Sequence, residues 1–123
     1  MPDFSVYINF PIVLQAYSVF KSRVLAAYYS SRGITVIPNV TWSDKESLEW
    51  VLDGLPKNSV VALSSNGVLN ANTVNDFVEL FNKVMKRLEP KKIVFVGSIP
   101  TQLKDDKRII QFDSHLQKMR KGV

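Results

Sequence analysis

The groups in this sequence able to do chemistry are few and mostly neutral. Asn39, Trp42 and Ser43 fall together, as do Ser64, Ser65, Asn66 and Gly67, and then Gly97 with Ser98. Amides, hydroxyls and an indole recognise ligands by hydrogen bonding and stacking, and none of them titrates near neutral pH. Asp3 and Asp44 each lie beside an apolar run, and two carboxylates at one sheet edge would suit a small metal-dependent hydrolase or nuclease. Asp44 has a competing role as an acid in the first turn of a helix. His115 is the single histidine, within Asp113-Ser114-His115. Three consecutive residues do not converge as a catalytic triad does, and His115 with Asp113 falls short of the three or four ligands zinc takes. The chain has no cysteine, which excludes thiolate metal sites, disulfides and cysteine nucleophiles. Ser64-Ser65-Asn66-Gly67 lacks the second glycine and the lysine of a phosphate-binding loop, and no G-x-G-x-x-G occurs. The sequence therefore assigns no catalytic residue, no metal and no cofactor.

These groups are positioned by alternating elements. Residues 4–10, FSVYINF, alternate apolar and polar, the period of a strand with one buried face. Pro11 opens a helix whose Val13, Ala16, Tyr17, Phe20, Val24, Ala27 and Tyr28 form one apolar stripe, with Tyr28 expected in the core. Gly33 suits a left-handed cap. Residues 34–40 are expected as a second strand, although Pro38 has no N–H for a ladder. Ser43 and Glu46 have capping-box spacing ahead of a helix burying Leu48, Val51, Leu52 and Leu55. Residues 59–64 and 93–96 are short apolar runs, expected as strands covered on both faces. Between them Val74, Phe77, Val78, Phe81, Val84, Met85 and Leu88 mark a helix that Pro90 ends. Residues 108–112 are expected as a fifth strand, and a short basic helix after Ser114.

This alternation predicts an α/β fold of β-α units with a mostly parallel sheet of about five strands, as an open sheet or half-barrel. The 123 residues are expected as a single α/β domain with a basic C-terminal tail from about residue 114; a closed eight-stranded barrel needs a longer chain. Ligands of parallel sheets gather beyond the C-terminal ends of the strands. The candidate ligand-binding residues are therefore Asn39, Trp42, Ser64, Ser65, Asn66, Gly67 and Ser98. Arg23, set among apolar neighbours, joins them as a contact for a small anionic ligand.

Charge is placed unevenly. Residues 83–123 carry eleven basic and four acidic side chains, net +7, against five basic and seven acidic before them, net −2. A cationic third on a near-neutral body favours anionic partners. Lys104, Lys107, Arg108, Lys118, Arg120 and Lys121 are the candidate contacts to nucleic acid or to a partner protein. No signal-peptide pattern opens the chain, and no apolar run reaches the roughly 18 residues of a membrane span. A cytoplasmic protein with no membrane partner is expected.

The segments PDFS, SRVLAAYYSSRGITVIPNVTWSD, GLPKNSVVALSSNG and LEPKKIVFVGS, in that order, together resemble an uncharacterised family of phage and mobile-element proteins, domain-of-unknown-function family four-four-one-seven. The resemblance covers nearly the whole chain and implies a viral or mobile-element setting, with the host cytoplasm as location. It brings no established activity. Family members typically carry more chain before the PDFS segment. An exposed sheet edge and a homodimer are the expectation that follows here. Three functions are thus in view: an accessory protein that binds a host protein, nucleoprotein or nucleic acid, with a counter-defence role such as inhibiting a CRISPR nuclease; a small-molecule or nucleotide binder at the strand ends; and a small hydrolase or nuclease.

Overall fold

A computed structural model of the chain describes residues 10–65 and 73–122. Two compact units are present, Met1–Leu55 and Pro56–Val123.

The second unit holds the sheet. Strands β1 (Val60–Ser64), β2 (Lys92–Val96) and β3 (Ile109–Phe112) run parallel in the order β1-β2-β3. Val61 pairs with Ile93, Leu63 with Phe95, Ile93 with Ile109 and Phe95 with Gln111. Because side chains alternate along a strand, these residues share one face, and Val61, Leu63, Ile93 and Phe95 are buried there. Helix α3 (Val74–Leu88) covers that face with Phe77, Leu80, Phe81, Val84, Met85 and Leu88. Phe77 meets Phe95 edge-on at 6.2 Å and stacks on Phe81 at 6.5 Å, geometries aromatic quadrupoles favour. The sharp end of α3 comes from Glu89, whose left-handed backbone (φ 46°) lets its N–H reach the Met85 carbonyl. The Asn58 N–H then takes the Leu88 carbonyl.

Cover on both sheet faces was expected; among the described residues of this unit no helix is seen to cover the opposite face. Val60, Ile110 and Phe112 are 38%, 46% and 52% exposed, and β1 and β2 both alternate buried with more exposed residues. A short 3₁₀ turn (Thr101–Leu103) follows β2, and α4 (His115–Arg120) is the basic helix expected after Ser114.

The first unit carries α1 (Ile12–Ser31) and the short α2 (Leu48–Val51). Gly33 (φ 81°) ends α1 as expected: the Ile34 N–H reaches the Tyr29 carbonyl and the Gly33 N–H the Ser30 carbonyl, the paired bonds of a Schellman motif. The apolar stripe of α1 exists but is turned outward. Gln15 and Ser22 are its buried residues, and Tyr28, expected in the core, is 52% exposed. Periodicity reports that a helix has two faces; what covers each face is a tertiary matter.

About five strands were expected, and three are found among the described residues. Residues 4–9 of the expected first strand lie outside the described residues. Residues 34–40 form no strand; Asn39 makes a single bridge. Pro38 removes a ladder donor there, and Ile34 and Ile37 on this segment are exposed.

Candidate functional site

The strand-end candidates divide between the units. Ser64, Ser65 and Ser98 belong to the sheet unit, Arg23, Asn39 and Trp42 to the first unit, and Asn66 and Gly67 lie outside the described residues.

At the C-terminal ends of the strands, the serines after β1 and β2 are hydrogen-bonded to each other. The Ser65 N–H donates to the Val96 carbonyl at 3.1 Å, extending the ladder by one residue. Its hydroxyl, almost fully buried, donates to the Ser98 carbonyl at 2.8 Å. The exposed Ser98 hydroxyl accepts from the Gln117 amide at 3.0 Å. Gln117 also completes the cap of α4: its N–H donates to Ser114 Oγ at 3.2 Å and its Oε1 accepts the Ser114 N–H at 2.8 Å. Beside them the Gln111 amide donates to the Gly97 carbonyl at 2.8 Å. Gln111, Ser114 and Gln117 were not foreseen in this cluster, yet Ser-x-x-Gln is a capping-box signature readable at 114–117. The result is a neutral network that ties α4 to the strand ends. It supplies no group for proton transfer.

In the first unit, Arg23 acts on backbone. One guanidinium nitrogen donates to the Val51 carbonyl and the other to the Asp53 carbonyl, while Nε is buried with no partner. Burial lowers the Arg23 pKa and the nearby Asp53 charge raises it, burial being the larger effect. The fork fits because it matches two carbonyls left over where α2 ends. Asn39 and Trp42 are half-buried and held by neighbours.

The expected capping box at 43–46 does not form: residues 43–47 make a turn ahead of α2, whose N-cap Ser47 receives no side-chain cap bond. Asp44 Oδ1 accepts the Ser47 N–H at 2.9 Å, and Ser47 Oγ accepts the N–H groups of Ser43 and Asp44 at 3.0 and 3.2 Å. Ser47 thus takes the place expected for Glu46, and Ser43 instead donates its hydroxyl to Gln15 Oε1 at 2.7 Å. One Asp44 oxygen is therefore engaged as the acceptor of this turn. Asp3, its expected partner, lies outside the described residues. Among the described residues no group of three or more His, Asp or Glu could hold a metal ion.

The basic candidates separate into paired and unpaired groups. Arg108 grips Asp106 through Nε and Nη2 at 2.9 and 2.6 Å. That hydrogen bonding holds the Asp106 carboxyl below the usual carboxylate range and raises the Arg108 pKa. Lys121 pairs with Asp113 at 2.7 Å. Lys104, Lys107, Lys118 and Arg120 are exposed and make no ion pair among the described residues. The first two precede β3 and the last two follow it. In chain order they therefore flank a four-residue strand, about 13 Å long. No helix among the described residues is long and apolar enough to cross a membrane.

Similar proteins are viral. The gene 1 protein of Mycobacterium phage L5 is 31% identical over 99 residues, 80% of this chain and 43% of that protein. The gene 1 protein of Mycobacterium phage D29 is 27% identical over 99 residues, 80% of this chain and 37% of its own length. The chain thus spans less than half the length of these curated relatives. No solved structure matches it. The segments that suggested a family in the sequence lie inside the match to a family model over residues 1–113, and the chain belongs to the domain-of-unknown-function family DUF4417.

Proposed function

We propose that this chain is a phage accessory protein that works by binding, and that its partner is a polyanion: a nucleic acid, alone or within a host nucleoprotein. The observation that carries the reading is the set of four exposed, unpaired cations, Lys104, Lys107, Lys118 and Arg120, around β3. Cations already neutralised by a carboxylate add little to phosphate binding, whereas free ones release counterions on contact. A strand of about 13 Å is as long as roughly four phosphates along one strand of a duplex, at 3.4 Å each along its axis. The neutral strand-end network offers no competing catalytic chemistry. The relatives' phage origin supports a host-directed role, and blocking a host nucleoprotein in counter-defence is the service such binding would give.

The test is a salt titration of binding to duplex DNA, single-stranded DNA and RNA. Four phosphate contacts give a log–log slope of about −3.6 on duplex DNA. Reversing Lys104, Lys107, Lys118 and Arg120 to glutamate abolishes binding. If the native protein fails to bind any of the three at low salt, the polyanion reading falls. If the reversed variant binds as well as the native protein, these four cations are not its contacts.

A further inference from the structure

We propose that Asp113 is an autoinhibitory anion of the polyanion-binding surface: by pairing with Lys121 it keeps a fifth cation from adding to phosphate binding. The inference rests on the polyanion reading and adds a brake to the same surface. Every residue involved belongs to the sheet unit. Asp113 follows β3 and immediately precedes Ser114, the N-cap of α4, and Lys121 is the C-cap of that helix. The pair therefore closes along the element that carries Lys118 and Arg120. Its N–O distance is 2.7 Å, with the lysine side chain 62% and the aspartate 34% exposed. A charge-assisted contact this short occupies the ammonium, yet an exposed pair is weak and screened by salt.

The neighbouring acid, Asp106, is employed differently. It holds Arg108 through two side-chain bonds and also accepts the Arg108 N–H at 3.0 Å, so it closes its own turn and the fold needs it. Asp113 has no such employment. Among the described residues its carboxylate bonds to Lys121 alone. The ends of α4 are secured without it, by the capping box of Ser114 and Gln117 and by the Lys121 N–H on the Gln117 carbonyl. Asp113 therefore acts on charge and little on fold.

Affinity for a polyanion follows the counterions that contact releases. If Lys121 stays on Asp113, it releases none. If it crosses to a phosphate, one counterion leaves the nucleic acid, but the abandoned Asp113 carboxylate gathers a cation from solution in return. Either way Lys121 is silent in the salt dependence while Asp113 is ionised. Four cations count, and removing the Asp113 charge makes them five.

Salt titrations on duplex DNA at constant pH test this in a double-mutant cycle. Asp113→Asn is expected to steepen the log–log slope from about −3.6 to about −4.5, so that a tenfold rise in salt costs the variant about eightfold more affinity than it costs the native protein. Lys121→Gln alone is expected to leave the native slope, and Asp113→Asn/Lys121→Gln to restore it. Asp105→Asn removes an exposed acid from the same unit and is expected to leave the slope unchanged, with circular dichroism the same for all variants. If the native protein binds and Asp113→Asn keeps its slope, this proposal alone is overturned. A slope flattened by Lys121→Gln overturns it too, because Lys121 is then already a contact. So does a double variant as steep as Asp113→Asn, or an equal effect from Asp105→Asn, since loss of negative charge then suffices without Lys121. No binding by the native protein at low salt removes the polyanion reading and the brake with it.

Discussion

At the residue scale, the side chains that stood out in the sequence turn out to act on backbone as often as on anything external. Arg23 joins the end of α2 to α1 through the Val51 and Asp53 carbonyls. Charged hydrogen bonds of this kind contribute about 1.5–3 kcal/mol when buried, and the half-buried Arg23 warrants a lower figure. Arg23→Ala should cost about 1 kcal/mol and Arg23→Lys about half that, since an ammonium cannot serve two carbonyls as a fork does. Urea unfolding midpoints check the order, and an alanine variant as stable as the native protein would show the clamp to be idle. Asp106 gives a pH dependence. Its folded pKa is lowered, mainly by the Arg108 side-chain hydrogen bond, so its stabilisation is complete above the unfolded value of about 3.9 and is lost as pH falls through the lower folded value. Asp106→Asn should therefore lower stability at neutral pH and shrink the loss of stability below about pH 4. Stability curves of the two proteins that run parallel down through that window would contradict the assignment. Neither partner was legible in the sequence: Arg23 reaches residues 28 and 30 positions away, and no local pattern encodes such a contact.

At the element scale, legibility followed the strength of local signals. Helix α3 was readable because its apolar residues repeat at helical spacing and Pro90 closes it, and strands β1 and β2 because each is a short continuous apolar run. The segment 34–40 was not, because β-branched residues favour any extended chain whether or not a partner strand lies beside it. The capping box expected at 43–46 did not form because Asp44 and Ser47 instead close a turn ahead of α2, accepting the N–H groups of Ser43, Asp44 and Ser47. The end of α3 rests on an unusual residue, since Glu89 holds a left-handed φ of 46°. Such a backbone costs a non-glycine residue roughly 1–2 kcal/mol, and glycine gives part of that back in chain entropy. Glu89→Gly should stabilise the sheet unit by about 0.5–1 kcal/mol. Its exposed side chain makes no contact that the substitution would remove. A thermal midpoint lower than the native protein's would mean that the turn needs the glutamate itself.

At the scale of the whole molecule, what matters is how charge is spread, and this distinguishes contact from mere net positive charge. The six basic candidates were legible as a cluster in sequence, but two of them are neutralised by Asp106 and Asp113, and the other four flank β3 in chain order. Partners across a strand length are about 13 Å apart, beyond the distance at which substitutions usually couple. Neutralising Lys104 and Lys107 to glutamine should therefore reduce the steepness of the salt slope on duplex DNA by about 1.8 units. Neutralising Lys118 and Arg120 should do the same, and the two effects should add. Lys86→Gln is the control, because it changes net charge equally per residue from the exposed side of α3. A polyanion running along β3 leaves the slope unchanged in that control. If Lys86→Gln shifts the slope as much as each candidate does, binding is diffuse attraction to a basic protein. If one pair accounts for the whole effect, the footprint lies at a single end of β3 and the partner crosses the strand instead of following it.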